Sequence, residues 1–280
     1  MVASLVLDLY LGFELASQRV LEVVKTATSA TFLAALSYFD YKTRLLPDAL
    51  VYAYLVTSIL MYAVSAVVAV QEYGLLPPIL YTLLSAALCT GLMYSLYKAK
   101  LVGDGDVYVA LSLSLMHAFP QSYGTTLPGA GILPPPLVVL FYASLIGLAY
   151  SLVQLAVSLV KWRWLLKELP GVHKILVPLI ARPVKLGDYL SGKVKHSYPV
   201  QCLEVENGRV RVSMQLLTRI DEDDCILRSA DKLRSFADYY IWVSPGLPFI
   251  LYMLLGFVLF MAVGDSVLLA ISKLIIRGAG

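Results

Sequence analysis

The chain has 280 residues, of which 59% are hydrophobic and only 15% charged, and its formal net charge is +3. Because a soluble domain averages about 25% charged residues, this composition excludes an ordinary soluble protein and predicts an integral membrane protein. The small net charge, without a basic tract containing interleaved aromatic residues, gives no indication of nucleic-acid binding. The three cysteines show no C-x-x-C spacing, so neither a zinc site nor a disulfide framework is expected.

Six apolar stretches alternate with polar breaks, and each is close to the length of about 20 residues that a membrane-crossing helix needs. The predicted spans are Leu21–Phe39, Ala49–Val70, Leu75–Tyr97, Leu101–Phe119, Leu137–Val160 and Pro245–Gly264. Residues 1–20 fit either an interfacial helix or an extension of the first span. The predicted fold is therefore an α-helical membrane protein with six transmembrane helices.

A charged segment interrupts this pattern between the fifth and sixth spans. We interpret residues 1–160 as the membrane domain with spans 1–5, residues 161–243 as a soluble insert, and residues 244–280 as the sixth span. Within the insert, Leu203–Val212 predicts a β-hairpin with a two-residue Asn-Gly turn, in which Glu206 faces Arg209 and Glu204 faces Arg211. Residues 227–240 are predicted to be helical. We expect a small, mostly β domain docked under the membrane bundle.

Basic residues near the span ends predict the orientation of the chain. In a six-span arrangement they fall on one side, whereas the opposite loops, residues 71–74 and 120–136, contain no Lys or Arg. This distribution predicts that the first side, which also carries the insert, faces the cytoplasm. The basic residues concerned are Lys42, Arg44, Lys98, Lys100, Lys161, Arg163 and Lys167.

Two acids at membrane-span ends are the candidate functional residues. Asp40 ends the first apolar run, and Asp106 lies in Gly103-Asp104-Gly105-Asp106, where the fourth span begins. Acids beside a hydrocarbon phase are costly and are retained there mostly for function. The predicted topology places both at the same membrane face, where two close carboxylates would share a proton and act as general acid and base on a peptide bond. From topology alone, transport of a cation or proton, and a structural turn, remain alternatives.

Two short motifs resemble the signature regions of the type IV prepilin peptidase family, which are membrane aspartic proteases of the GxGD class. The first motif matches at Asp40, Arg44, Leu46-Pro47 and Asp48, and the second at both glycines and the final acid of Gly103–Asp106. The resemblance is closer to the archaeal branch, the preflagellin (pre-archaellin) and archaeal prepilin peptidases, which has six spans and a soluble insert before the last. Residues 244–250 and Gly264-Asp265 look like the C-terminal span of that branch.

The resemblance implies that Asp40 and Asp106 are the catalytic acids. Gly103, Gly105 and Pro47 would support the motif and the substrate backbone. Lys42 and Arg44 are near enough to tune the acids electrostatically, and contact with phospholipid head groups explains these two basic residues equally well. It also implies no metal and no cofactor, because two carboxylates suffice for the hydrolysis.

The expected substrates are prepilins and pre-archaellins, precursors in which a short basic leader precedes a hydrophobic helix. Cleavage is expected at the cytoplasmic face of the cell membrane, in the biogenesis of type IV pili and the archaellum. The bacterial members that also N-methylate their product carry an N-terminal region with paired cysteines. This sequence has no such pair, so we expect peptidase activity without methyltransferase activity. A cation- or proton-coupled transporter and a non-catalytic membrane subunit of a pilus assembly are the alternatives.

Overall fold

The structure is a computed structural model, and it describes residues 2–99, 101–118, 133–194, 196–206, 209–214, 226, 233–246 and 248–271. Its contacts divide the chain into two compact units, residues 1–146 with 248–280, and residues 147–247. The first unit consists of helices. Their bounds are α1 (Val2–Thr43), α2 (Asp48–Tyr73), α3 (Leu76–Lys98), α4 (Asp104–Met116), the start of α5 (Pro135–Lys161) and α9 (Phe249–Val263).

Four of the six predicted spans are confirmed as helices long and apolar enough to cross a membrane. They are Val20–Thr43, Asp48–Gln71, Ile79–Lys98 and Pro135–Lys161. The other two are shorter than predicted, since α4 has 13 residues and α9 has 15. The prediction of six full-length spans is therefore confirmed only in part. Helix α4 starts at Asp104 because the glycine-rich motif forms its first turn, whereas the predicted span began at Leu101; the predicted end at Phe119 lies outside the described residues.

Residues 2–20 continue the helix of the first predicted span. The backbone of α1 is helical without interruption from Val2 to Thr43, so Asp40 lies within the last turn of the helix instead of in a polar break after it.

Prolines lie at the starts of the next two helices. Pro47 is the N-cap of α2, and α3 carries prolines in its first turn, where a missing N–H costs nothing.

The core of the first unit draws side chains from every one of its helices. Leu33 of α1, Tyr54 of α2, Met93 of α3, Leu113 of α4 and Phe257 of α9 are almost fully buried. This core fixes the positions of the helix ends at which the candidate acids lie.

A buried polar contact joins three helices of the same unit. His117, the C-cap of α4, has its Nε2 atom 2.9 Å from the Ser29 hydroxyl of α1. The Tyr54 hydroxyl of α2 donates to that same Ser29 oxygen at 3.1 Å. Pairing these polar groups with one another offsets the cost of burying them.

The second unit contains two small antiparallel sheets and short helices. One sheet has the order β1 (Arg182–Lys185), β5 (Tyr240–Pro245), β2 (Ser197–Pro199), and the other pairs β3 (Gln201–Glu206) with β4 (Arg209–Met214). The described helices are α6 (Arg163–Leu166), α7 (His173–Ile180) and α8 (Leu186–Leu190), followed by a 3-10 turn at Arg234–Phe236. Trp242 of β5 is buried, and its backbone N–H donates to the Gln201 side chain at 3.1 Å.

The predicted hairpin is confirmed in its register. Glu206 pairs with Arg209 and Glu204 with Arg211 across β3 and β4; the Asn-Gly turn itself lies outside the described residues. The alternation of charged and apolar residues was enough to predict this pairing, because a slip by one residue would exchange the two faces.

One prediction for this part of the chain holds only in part, and two are wrong. Of the helix predicted over residues 227–240, Leu233 is helical and Arg234–Phe236 forms a 3-10 turn, whereas Tyr240 already belongs to β5; residues 227–232 lie outside the described residues. The sixth span does not begin at Pro245, because β5 runs through that residue and pairs with β2. Cys202 is disulfide-bonded, although the cysteine spacing gave no indication of it.

Candidate active site

Asp40 lies in the last turn of α1, next to the first turn of α9. Its Oδ2 atom accepts a hydrogen bond from the backbone N–H of Ile250 at 3.0 Å. The first N–H groups of a helix have no partner within the helix, so this carboxylate caps α9 from another part of the chain. The side chain is mostly buried, with 13% of its surface exposed.

Arg44 follows Asp40 by one helical turn and points back towards it. Its Nη1 atom is 3.9 Å from Asp40 Oδ1, which is too long for a hydrogen bond. Nε and Nη1 are buried and have no hydrogen-bond partner among the described residues. The backbone of Arg44 has a φ of 58°, a left-handed conformation that is costly for a residue with a Cβ. The guanidinium group of Arg44 therefore lies beside Asp40 with buried N–H groups that donate no hydrogen bond to the described residues.

Asp106 lies in the first turn of α4, as the third helical residue after the N-cap Gly103. Its Oδ2 atom accepts the backbone N–H of Gly103 at 2.9 Å. This is one half of a capping box; the other half needs an N-cap side chain, which glycine lacks. The neighbouring acid, Asp104, is exposed, and its Oδ1 atom accepts the N–H of Gly105 at 2.8 Å.

The two candidate acids come together although 65 residues separate them in the chain. Asp40 is close enough to Asp106 for the two charges to interact, and Asp104 is the other carboxylate that acts on Asp106. Each of the paired acids uses Oδ2 to hold a backbone N–H. Among the described residues, Oδ1 of each accepts no hydrogen bond. The arrangement therefore leaves one carboxylate oxygen of each acid without a hydrogen bond from the described residues, at the end of α1 and the start of α4.

The glycines of the motif have different surroundings. A Cβ atom at Gly105 would lie 2.8 Å from Cδ1 of Leu46, whereas one at Gly103 would meet only Oδ2 of Asp106 at an ordinary 3.7 Å. The space beside Gly105, expected to receive a substrate backbone, is occupied by Leu46. Pro47 follows, and its carbonyl accepts the N–H groups of Leu50 and Val51 at 2.9 and 3.1 Å. The first motif thus packs directly against the second.

Lys42 is not brought to the acids in this structure. Its Nζ atom donates to the Tyr38 hydroxyl at 3.0 Å and lies 5.3 Å from the centre of that ring. Arg44 is therefore the basic residue that accompanies Asp40. No cluster of three or more His, Cys, Asp or Glu residues that could hold a metal is found in the part of the chain that the structure describes.

Two contributions to the site could not be assigned from the sequence. The N–H of Ile250 holds Asp40 from a helix 210 residues away, and no side-chain chemistry marks it. A weak signal existed in Pro248, which often precedes a helix start. Leu46 supports Gly105 by packing, but in a chain that is 59% hydrophobic an apolar residue beside a proline does not stand out.

Comparison with known families covers most of the chain. Residues 27–152 match the type IV leader peptidase family, and this region contains both motifs and both candidate acids. Residues 173–266 match the family described as archaeal peptidase A24 C-terminus, type II. No curated protein matches the chain.

Proposed function

This chain belongs to the type IV leader peptidase family, with the archaeal form of the C-terminal region, and from that premise we propose that it is a two-aspartate membrane endopeptidase. Its substrates are archaellin and type IV pilin-like precursors, from which it removes the short basic leader. The observation that supports the proposal is that Asp40 and Asp106, one from each motif, lie close enough for their charges to interact. The matched families give no support to the transport alternative.

The proposed chemistry uses the two carboxyl groups in complementary protonation states. The ionised carboxylate takes a proton from a water molecule, whose oxygen adds to the carbonyl carbon of the scissile peptide. The protonated carboxyl donates its proton to the carbonyl oxygen, which gives a tetrahedral diol. The C–N bond then breaks as the leaving nitrogen receives a proton, and a new carboxyl group and a new N-terminus are released.

The backbone contacts of the acids support this assignment. Each acid accepts a hydrogen bond through Oδ2 from an N–H at a helix start. This contact orients Oδ1 of each acid, which accepts no hydrogen bond from the described residues and is free for the reaction. Pre-oriented groups lower the barrier because less reorganisation is needed during the reaction. The buried donors of Arg44 lie beside Asp40; we assign them to electrostatic tuning of that acid and to the carbonyl oxygen as it gains charge.

The substrate class follows from where the acids lie. A precursor with its apolar helix in the bilayer and its basic leader in the cytoplasm would present the junction between them at a membrane face. A helix hides its carbonyl groups in hydrogen bonds, so the junction must be extended to be cut. We place the site and the soluble insert at the cytoplasmic side of the cell membrane, and methyl transfer is not part of the proposed activity.

A cleavage assay with matched acid variants tests the proposal. Detergent-solubilised protein is incubated with a tagged archaellin or pilin precursor, and the loss of the leader is followed as a gel shift. We expect Asp40→Asn and Asp106→Asn each to lower the rate by about 10²–10⁴-fold, the contribution usual for general acid–base catalysis. Asparagine retains an oxygen for the Ile250 or Gly103 N–H, so folding should be preserved.

Asp104→Asn is the matched control for this assay. Asp104 lies in the same turn as Asp106 but is exposed and bonds only the neighbouring N–H of Gly105. Cleavage should therefore persist in this variant. Loss of cleavage in Asp104→Asn alone would contradict our assignment within the motif. Full activity of Asp40→Asn or Asp106→Asn would contradict the mechanism itself.

A further inference from the structure

Helix α7 of the second unit is apolar on two of its faces. Val177 and Pro178 are buried, and Val177 belongs to a cluster that includes Leu165 and Trp242. The opposite side carries a second apolar stripe at positions i, i+3, i+4 and i+8, a spacing that places side chains on one helix face. Its members are 39–68% exposed: Val172, Ile175, Leu176 and Ile180. An exposed stripe of four large apolar residues on one short helix indicates a surface that is covered in the working protein.

A contact with the membrane-crossing helix α5 fixes the level of α7. The Gln154 side chain of α5 donates through Nε2 to the carbonyl oxygen of Pro178 at 3.5 Å. Gln154 precedes the end of α5, Lys161, by seven residues, which corresponds to about 10 Å along a helix axis. The end of α7 therefore lies beside α5, about two turns before that helix ends.

The segment between the two helices has the composition of a membrane surface. Trp164 is 51% exposed, and tryptophan is enriched where hydrocarbon meets water. Exposed basic side chains outnumber the one exposed acid, Glu168, by four to one over residues 161–174. These basic residues are Lys161, Arg163, Lys167 and Lys174.

We propose that α7 is an interfacial helix of the soluble unit, embedded in the leaflet in which α5 ends. Its stripe lies among the lipid acyl chains, and the neighbouring basic side chains contact anionic lipid head groups. The insert is thereby bound to the bilayer through its own surface as well as through the spans on either side of it. This assignment stands independently of the peptidase activity.

We assign lipid as the occupant because the stripe lies beside the exposed apolar side chains of a helix long and apolar enough to cross a membrane. The last turns of α5 expose Val157, Leu159 and Val160, the last of them at 86%. Helix α7 follows within a dozen residues and returns alongside that helix. Exposure of apolar side chains on both helices to water would be costly, whereas acyl chains would accommodate both surfaces together.

Depth measurement with spin labels tests this placement in the full-length protein, reconstituted in bilayers of phosphatidylcholine with phosphatidylglycerol. A nitroxide is attached at Ile175→Cys, and its collision rates with oxygen, which concentrates in lipid, and with a water-soluble nickel chelate are compared. Val160→Cys is the lipid-facing reference and Lys193→Cys, whose side chain is 73% exposed, is the aqueous reference. The unsubstituted chain, with Cys89 buried and Cys202 in a disulfide, sets the background.

We expect the oxygen-to-nickel ratio at position 175 to match that at position 160 and to exceed that at position 193 several-fold. A ratio equal to that at 193 would overturn the proposal. Low collision rates with both reagents would also overturn it, since they would show that protein, either a second copy or a bound precursor, covers the stripe.

The head-group contact has its own test. Removing phosphatidylglycerol should move the label at 175 towards water, and Lys167→Glu with Lys174→Glu should abolish that dependence on anionic lipid. A label depth that is the same with and without anionic lipid would refute the contribution of the basic side chains.

Discussion

At the scale of single residues, the side chain of each candidate acid has both a structural role, as a helix cap, and a proposed catalytic role. Asp40 caps α9 through Ile250, and Asp106 caps α4 through Gly103. A carboxylate is favoured at a helix N-terminus because the free N–H groups there carry partial positive charge. The proposed catalytic pair is thus also part of the structural framework of the membrane domain, and the two duties can be separated by the choice of substitution.

Asp106→Ala should cost stability that Asp106→Asn does not. Alanine removes the acceptor for the Gly103 N–H, and loss of such a helix-end bond typically costs about 1 kcal/mol, whereas the asparagine oxygen can replace it. Thermal unfolding in detergent compares the two variants with the wild type. Equal unfolding temperatures for both would show that the Asp106–Gly103 bond contributes nothing.

Gly105→Ala should impair cleavage through Leu46. The added methyl group would lie 2.8 Å from Leu46 Cδ1, so Leu46 must move aside next to the turn that holds Asp106, and the cleavage rate should fall. Cleavage rates of Gly105→Ala and of the double variant with Leu46→Ala measure the effect, and the second change should restore part of the loss. Gly91→Ala, where a Cβ meets nothing within 4 Å, is the control; an additive double variant would exclude the Leu46 contact as the cause.

Arg44→Gly should separate stability from activity. Glycine tolerates the left-handed backbone at this position, which costs a residue with a Cβ about 1–2 kcal/mol, so the variant should unfold at the same or a higher temperature. Cleavage should nevertheless fall by about tenfold or more, because the cation beside Asp40 is lost. Retained activity in a stable variant would show that Arg44 serves only to end the helix.

At the scale of elements, the crossing of α5 and α9 depends on one glycine. A Cβ at Gly256 would lie 2.5 Å from the Val139 carbonyl oxygen and 2.9 Å from the Ala143 nitrogen. Backbone atoms cannot move aside as a side chain can. The close approach of these two helices also fixes α9, whose first turn binds Asp40.

Gly256→Ala should therefore destabilise the membrane domain even though alanine is the better helix former. The clash should outweigh the propensity gain of about 1 kcal/mol, and the unfolding temperature should fall. Gly91→Ala in α3 provides the control, since it gains the same propensity without a clash. A Gly256→Ala protein as stable as Gly91→Ala would contradict the tight crossing.

Elements differed in how well the sequence predicted them. Long apolar runs predicted α2, α3 and α5 because length and composition alone define such helices. The last span was misplaced at its start, since Pro245, which was predicted to begin it, is the last residue of strand β5, and the helix begins only at Phe249. A proline before an apolar run does not distinguish the end of a strand from the start of a helix, and only pairing with β2 decided it.

At the scale of the whole molecule, the pairing of the two acids followed from topology. Asp40 and Asp106 could be placed at one membrane face because span ends and basic residues fix which loops share a side. Their fine positioning could not be predicted, because it depends on the backbone N–H of Ile250 and on the packing of Leu46. Such contacts arise between distant segments and leave no pattern in either one.

The orientation of the chain remains a prediction that labelling can check. We expect the side with Lys98 and Lys161 to be cytoplasmic. A membrane-impermeant maleimide should then label Leu75→Cys, a residue that is 64% exposed between α2 and α3, on intact cells. Lys193→Cys should be labelled only in inverted vesicles, and the opposite pattern would reverse the assignment.

The shortness of α4 and α9 has a consequence for the surrounding lipid. Helix α4 has 13 residues and α9 has 15 before the turn at residues 264–265 separates it from helical residues 266–271; these uninterrupted lengths are about 20 and 22 Å, whereas the hydrocarbon core is about 30 Å thick. Because α9 exposes Leu255, Val258 and Leu259, we expect the bilayer to thin along this flank to relieve the hydrophobic mismatch. Thinning would bring bulk water to the helix starts where the acids lie, so the rate of hydrolysis should depend on the chain length of the lipids around the enzyme.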